Sequence, residues 1–331
     1  MKKIRIGQIG TAHDHAEAKL RTALSHPEVF EVLGVVYSEG INNDNPFAYN
    51  FVDIPRLTMD ELFDLKPDAI IVEAFELDLV RVATECVKRG IHVHMDKPAG
   101  LDIKDYENML KIAEKNKLIV QLGYMYRYNP ALKYLYQKVD EGSIGDIIQI
   151  DCEMNALHPL AKRKWLKHFD AGIMFFLGCH LVDIIYRLQG PPKSIQTFNQ
   201  KTRLDETDVV DNSLVVLNYG YGVSTLRVNS NQVNGFGQRR ILVTGTKGTI
   251  EIKPIEGPTR LFISKVENNT TSTKEISMPS FGRYDNQLLE FADYIRGIKE
   301  NPFTYQYELE LQALFLACCD ENIDWKKYML E

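Results

Sequence analysis

The residue best placed to do chemistry in this chain is Lys97, in the stretch Ile91-His92-Val93-His94-Met95-Asp96-Lys97-Pro98. Ile91, Val93 and Met95 alternate with polar residues, as in a short half-buried strand. Pro98 has no N–H and biases Lys97 away from the helical region, so strand pairing ends there. A lysine is thereby held at the carboxyl end of a strand, where open α/β sheets bind their ligands. An ammonium in that place could bind a hydroxyl and stabilise the alkoxide character that develops as a carbinol loses hydride.

A second candidate lies at Gly10-Thr11-Ala12-His13-Asp14-His15, a glycine turn between a strand and a helix. The dinucleotide fingerprint there is G-x-G-x-x-G, and of its glycines only Gly10 survives. Ala12 is small enough for a pyrophosphate to approach the backbone. His15 could pack at the helix start or hydrogen-bond a phosphate, and the helix N-terminus favours an anion whatever its side chains. The acid that would hold the adenosine ribose hydroxyls is missing, and Tyr37 stands at its place. Ser38 could take a 2′-phosphate and Glu39 could reach a ribose. No arginine stands nearby in the chain, which weighs against NADP, so NAD is the cofactor expected, with NADP left open.

Tyr124, Tyr126 and Tyr128, with Arg127 among them, follow a late strand. In an extended segment alternate residues share a face, so the tyrosines could line one wall of a sugar site. His158, Arg163, Lys164 and Trp165 fall in a loop, a common source of pocket residues. His13 with His15, and His92 with His94, have spacings that suit a metal. No carboxylate or cysteine arrangement near them completes a recognised site, so no metal is expected.

The elements that position these residues come in two styles. Up to Gly123, strand and helix alternate: strands at 3–9, 30–36, 68–72, 91–95 and 118–122, helices at 15–25, 59–65, 77–89 and 103–116, and a polar loop at 41–50. That is the pattern of a parallel sheet covered on both faces. From 124 onward come helices at 130–141 and 173–188, a strand at 146–153, an antiparallel meander over 194–278, and helices at 286–299 and 307–319. Gly220-Tyr221-Gly222 and Gly245-Thr246-Lys247-Gly248 punctuate the meander. The expected architecture is an α/β domain over 1–123, followed over 124–331 by an α+β domain built on a large, mostly antiparallel open sheet.

Composition narrows the function classes. The chain has 331 residues, 44% of them hydrophobic and 25% charged, a globular mix. A net charge of −6 gives no electrostatic reason for nucleic acid or an anionic membrane as partner. No apolar run approaches the ~18 residues of a membrane span. The start MKKIRIGQIG lacks the long apolar core of a signal peptide. Five scattered cysteines without C-x-x-C spacing read as reduced thiols of a cytoplasmic protein.

Taken together the motifs resemble the Gfo/Idh/MocA family, which includes glucose–fructose oxidoreductases and inositol 2-dehydrogenases. The shared features are the glycine turn, Asp96-Lys97-Pro98, Arg127-Tyr128-Asn129-Pro130, Glu141-Gly142-Ser143-Ile144-Gly145, Ala171-Gly172, and Gly178-Cys179-His180-Leu181-Val182-Asp183. The resemblance spans nearly the whole chain. It implies a Rossmann domain, a nicotinamide cofactor, a sugar, cyclitol or related polyol substrate, and a homodimer or homotetramer formed through the open sheet. Lys97 matches the lysine of the family's E-K-P, often followed by a cis proline. His180 matches its catalytic histidine, whose ordinary pKa near 6.5 suits a base in oxidation and an acid in reduction.

Two departures stand out. The family's aspartate four residues before the histidine is here Phe176, and Asp183, one helical turn after His180, is the candidate to orient the ring instead. The family's T-P-x-x-x-H is replaced by Ala74-Phe75-Glu76-Leu77-Asp78-Leu79, preceded by Glu73. A carboxylate there would repel a pyrophosphate unless it met a ribose hydroxyl.

The candidate catalytic residues are therefore Lys97, His180 and Asp183. Those for the cofactor are Gly10, Thr11, Ala12, His13, His15, Tyr37, Ser38, Ala74, Glu76, Asp96, Lys97 and Pro98. Those for the substrate are Tyr124, Tyr126, Arg127, Trp165 and His180. The expected activity is an NAD(P)-dependent dehydrogenase on a sugar or cyclitol. A redox-neutral lyase, epimerase or glycosidase that retains its cofactor, and a non-catalytic binding protein, are the alternatives.

Overall fold

The structure is a computed structural model that describes residues 2–38 and 53–330. Glu39 and the loop expected at 41–50 lie outside the described residues. The elements run β1 (Ile4–Ile9), α1 (Ala16–Ser25), β2 (Phe30–Val36), α2 (Met59–Asp64), β3 (Ala69–Val72), α3 (Leu79–Lys88), β4 (His92–Met95), α4 (Ile103–Lys115) and β5 (Val120–Leu122). Then come α5 (Pro130–Asp140), β6 (Ile147–Glu153), α6 (Leu160–Trp165), a π-helical turn Met174–Gly178, and α7 (Cys179–Gln189). Strands β7 (Ser194–Gln200), β8 (Asn212–Asn218) and β9 (Val223–Asn229) precede a one-turn α8 (Gly235–Gln238). The chain closes with β10 (Arg240–Gly245), β11 (Gly248–Lys253), β12 (Arg260–Glu267), β13 (Thr270–Ser277), α9 (Asp285–Ile295) and α10 (Tyr305–Cys319). Among the described residues no helix is long and apolar enough to cross a membrane.

The chain forms two units, Met1–Met125 with Gly282–Gln312, and Tyr126–Phe281 with Ala313–Glu331. The break expected after residue 123 thus falls at 125, and a C-terminal segment returns to the first unit. The reason is apolar packing: Leu288, Phe291 and Ala292 of α9 share a core with Ile4, Ile6, Phe30 and Ile71 of β1, β2 and β3.

The first unit is a five-stranded sheet in the order β2-β1-β3-β4-β5, with every neighbouring pair parallel. All four residues of β3 are buried, as a strand covered on both faces requires. A single parallel bridge, Val35 to Arg56, adds the rudiment of a sixth strand outside β2. With it the strands follow the 3-2-1-4-5-6 order of dinucleotide-binding sheets, whose crevice opens where the order reverses, above β1. Local signals fix the helices: a Thr58–Glu61 capping box starts α2, and the Asp102 carboxylate caps α4.

The second unit carries an eight-stranded sheet, β13-β12-β11-β10-β6-β9-β8-β7. It is antiparallel except for β6 against β9. The expected meander is therefore interrupted, because β6, from earlier in the chain, is inserted between β9 and β10. β8 and β9 alternate buried with more exposed residues, so this sheet covers one face only.

Candidate active site

β4 ends at Met95, and the Asp96 amide still bonds the Val72 carbonyl of β3 (3.1 Å). The next peptide, Lys97–Pro98, is cis. Lys97 is 1% exposed, and its amide donates to Asp96 Oδ1 at 2.6 Å. Gln312 holds the following loop, accepting from the Ala99 amide (3.3 Å) and donating to the Gly100 carbonyl (2.8 Å). Gly123 leaves the room Asp96 needs, since a Cβ there would stand 2.6 Å from Asp96 Oδ1.

Around Asp96 lies a buried charge cluster. Its Oδ2 meets Lys19 Nζ (2.6 Å), His15 Nδ1 (2.9 Å) and His13 Nδ1 (3.2 Å). Lys19 Nζ also reaches Glu73 Oε1 (2.8 Å), and His13 Nε2 lies 3.7 Å from Glu76 Oε1. Burial pushes the Asp96 carboxyl up, but His13, Lys19 and His15 outweigh it and hold it well below the carboxylate range. Glu73 goes the other way, raised by burial and by the charge of Asp96. Burial pushes both His13 and His15 below the ordinary imidazole value. The carboxylate missing from the His13/His15 pair in sequence is thus Asp96, brought from a different strand. These three are the group among the described residues that could hold a metal ion.

The cluster revises the cofactor residues. His13, Glu76 and Asp96, expected against the dinucleotide, are buried in it, with His13 1% and the other two 0% exposed. Glu73 escapes repulsion with a pyrophosphate by turning inward to Lys19. The turn amides are also committed: Thr11 N–H donates to Ser38 Oγ (3.0 Å), and the Ala12 and His13 amides donate to the Glu73 carbonyl (3.2 Å each). That carbonyl replaces a phosphate as their acceptor.

Beside the turn is a cavity of about 590 Å³, whose lining includes Gly10, Tyr37, Ser38, Ala74, Arg56 and Arg81. Gly10 has φ +100°, and a Cβ there would collide with the backbone of Glu73 and Ala74. The cavity fits the adenosine half of a dinucleotide in position and lining. Of the expected residues Gly10, Tyr37, Ser38 and Ala74 line it. Two arginines were missed. Arg56 lies over the Tyr37 ring (4.5 Å to the centroid), placed there by its bridge to Val35, and Arg81 comes from α3 beside Asp78. Adjacency in the sheet thus brings arginines to this cavity where adjacency in the chain does not.

In the second unit His180 opens α7, 3% exposed, with its ring edge-on to Tyr126 (4.9 Å between centroids). Asp183 was expected to orient this ring, and Arg127 to meet substrate. The two bond each other, Arg127 Nε and Nη2 to the carboxylate at 2.8–3.1 Å, both buried. The Tyr126 hydroxyl donates to Glu256 Oε1, and Arg239 Nη1 reaches both (3.1 Å each). The tyrosines do not form one wall: Met125–Tyr128 is a 3₁₀ turn, in which residues three apart eclipse, and Tyr124, Tyr126 and Tyr128 are all buried. Trp165 packs edge-on to Phe169 (5.1 Å) and Phe176 (5.5 Å), with Lys162 Nζ 3.6 Å from its ring centroid. Phe176 thus joins an aromatic cluster where the family's aspartate would stand.

Family profiles match two stretches of the chain. Residues 4–124 match "Oxidoreductase family, NAD-binding Rossmann fold", and residues 132–251 match "GFO/IDH/MocA C-terminal domain". The scyllo-inositol 2-dehydrogenase (NADP(+)) IolW of Bacillus subtilis is 24% identical, over 89% of this chain and 86% of its own. The myo-inositol 2-dehydrogenase of Thermotoga maritima is 24% identical over 71% of each. Among solved structures, the UDP-N-acetylglucosamine 3-dehydrogenase GnnA of Acidithiobacillus ferrooxidans superposes with a TM-score of 0.78 at 16% identity, covering 96% of both chains.

Proposed function

Starting from the Gfo/Idh/MocA oxidoreductase family, to which this chain belongs, we propose that it is an NADP-preferring dehydrogenase acting on a carbinol of a sugar or cyclitol. The observation that carries the cofactor choice is that Arg56, stacked over Tyr37, and Ser38 both line the cavity next to the Gly10 turn. A guanidinium and a hydroxyl there suit a 2′-phosphate, and Tyr37 stands where the ribose-binding acid would be, although Glu61 and Asp78 also line the cavity. When bound, the nicotinamide supplies the hydride acceptor or donor. In this reading Lys97 polarises the carbinol oxygen, and His180 takes its proton in oxidation and returns it in reduction. The substrate class is supported by the inositol dehydrogenases among the relatives.

One observation favours a second reading. Phe176, packed against Trp165, brings no carboxylate to the turn before His180. Without that acid the proton step is altered, and a redox-neutral reaction that returns the hydride to its own substrate is favoured more than in relatives that keep the aspartate.

Fluorescence titration with NADPH and NADH tests the cofactor choice. NADPH should bind more tightly, and Arg56→Ala should weaken it by about 10- to 100-fold, as expected for loss of a charged hydrogen bond, while leaving NADH within about threefold. Equal affinities unaffected by the substitution would refute the choice. A polyol screen that follows both NADPH formation and substrate conversion separates the two reactions. Conversion without net reduction selects the redox-neutral one.

A further inference from the structure

We infer that Lys19 is a positioning residue: its ammonium is the resident cation that locks Asp96 and, through Asp96, the backbone of Lys97. The inference rests on the reading of Lys97 as catalytic. Lys19 lies on α1, one turn after His15, and is 0% exposed. Its neighbours on the buried side of that helix are Ala16, Leu20 and Ala23, so nothing in the local pattern calls for a cation. A buried ammonium is retained only when it is paired and hydrogen-bonded. Here the partners are Asp96 Oδ2 (2.6 Å) and Glu73 Oε1 (2.8 Å), with the Tyr284 ring 5.9 Å away. The other Asp96 oxygen accepts the Lys97 amide at 2.6 Å. The path from α1 to the catalytic lysine is therefore one ion pair and one hydrogen bond.

Two imidazoles and a carboxylate converging on one point are also a metal ligand set. Their spacing would suit an ion bound at about 2.1 Å. However, Asp96 Oδ2, the oxygen both imidazoles face, already holds the Lys19 ammonium at hydrogen-bond distance. A divalent ion on that oxygen would stand against a fixed positive charge. The lysine thus occupies the place a metal would take. Of its two carboxylate partners, Asp96 accepts a hydrogen bond from the ammonium and Glu73 is the second oxygen in contact with it.

The test uses Lys19→Gln and Lys19→Arg in the whole chain, with amide exchange and kinetics as readouts. Lys19→Gln should speed exchange of the Lys97 amide by at least about tenfold while leaving the strands of the eight-stranded sheet unchanged. It should lower kcat by about 100-fold with KM within about threefold, the signature of a lost catalytic geometry rather than lost binding. Lys19→Arg should recover most of both. Asp96→Asn removes the other half of the pair and keeps the test open if Lys19→Gln does not fold. Wild-type exchange at Lys97 in the Lys19→Gln protein overturns the inference. So does stoichiometric binding of Co²⁺ to the wild type that is lost in His15→Ala. If the wild type oxidises or reduces no polyol, the dehydrogenase reading fails by itself, and the exchange result still decides the role of Lys19.

Discussion

Arg127 and Asp183 are each 2% exposed in their side chains and bond through two guanidinium nitrogens. Two ions removed from water this completely depend on each other, and removing one leaves the other charged and unpaired. Arg127→Met is therefore expected to lose about 3–5 kcal/mol of stability by urea unfolding. The double substitution Arg127→Met/Asp183→Leu should recover most of that loss, because no buried charge remains. A single variant with unchanged stability would show that the pair carries nothing. Lys97 was legible in the sequence because its signals are local: a strand pattern, then an X-Pro bond. Arg127 and Asp183 were visible as residues but not as partners, since 56 positions separate them. Arg56, Glu256 and Arg239 gave no signal at all, because each acquires its neighbours only when strands pair.

At the scale of elements, the β1–α1 joint depends on Gly10. Its φ of +100° disfavours any side chain, and a Cβ would meet the backbone of Glu73 and Ala74 after β3. Gly10→Ala should therefore push the two loops apart, lower the melting temperature and weaken NADPH by more than about tenfold, against a limit of threefold if the turn merely flexes. Most strands and helices could be read from periodicity to within a few residues, because β1 to β5 alternate with helices whose caps are encoded locally. Three features could not. The turn Met174–Gly178 is π-helical where the pattern reads as part of one helix over 173–188. Residues 125–128 coil tightly where an extended segment was expected. β6 enters the large sheet between strands that follow it by some 70 residues or more, which no local pattern announces.

At the scale of the whole molecule, the first unit holds buried histidines that pH should expose. Burial lowers the pKa of His13, His15, His92 and His94, and all four lie in the first unit. In the unfolded chain these imidazoles take up protons as the pH falls through about 6.5, while in the folded unit they resist. The unfolded state then binds more protons, so stability declines as pH falls below that value. A fully neutral buried histidine contributes on the order of 1 kcal/mol of loss by pH 5.5, and His13 and His94, the most strongly shifted, should each approach it. Of the two buried carboxylates, Asp96 is silent in this window and Glu73 opposes the loss in part. Asp96, with its lowered pKa, stabilises the fold above about pH 3.9 and gives that up only at lower pH. Glu73, with its raised pKa, contributes stability below about pH 4.3 that is lost as pH rises through its folded value, so acidification only restores it. Amide exchange at pH 7.5 and 5.5, corrected for intrinsic rates, should therefore show the parallel sheet losing protection first, led by β1 and β4. His94→Gln, which keeps a hydrogen-bonding partner for Gln121 but cannot titrate, should flatten the dependence. Loss of protection that begins in the eight-stranded sheet would mean that groups other than these histidines set the acid limit of the fold.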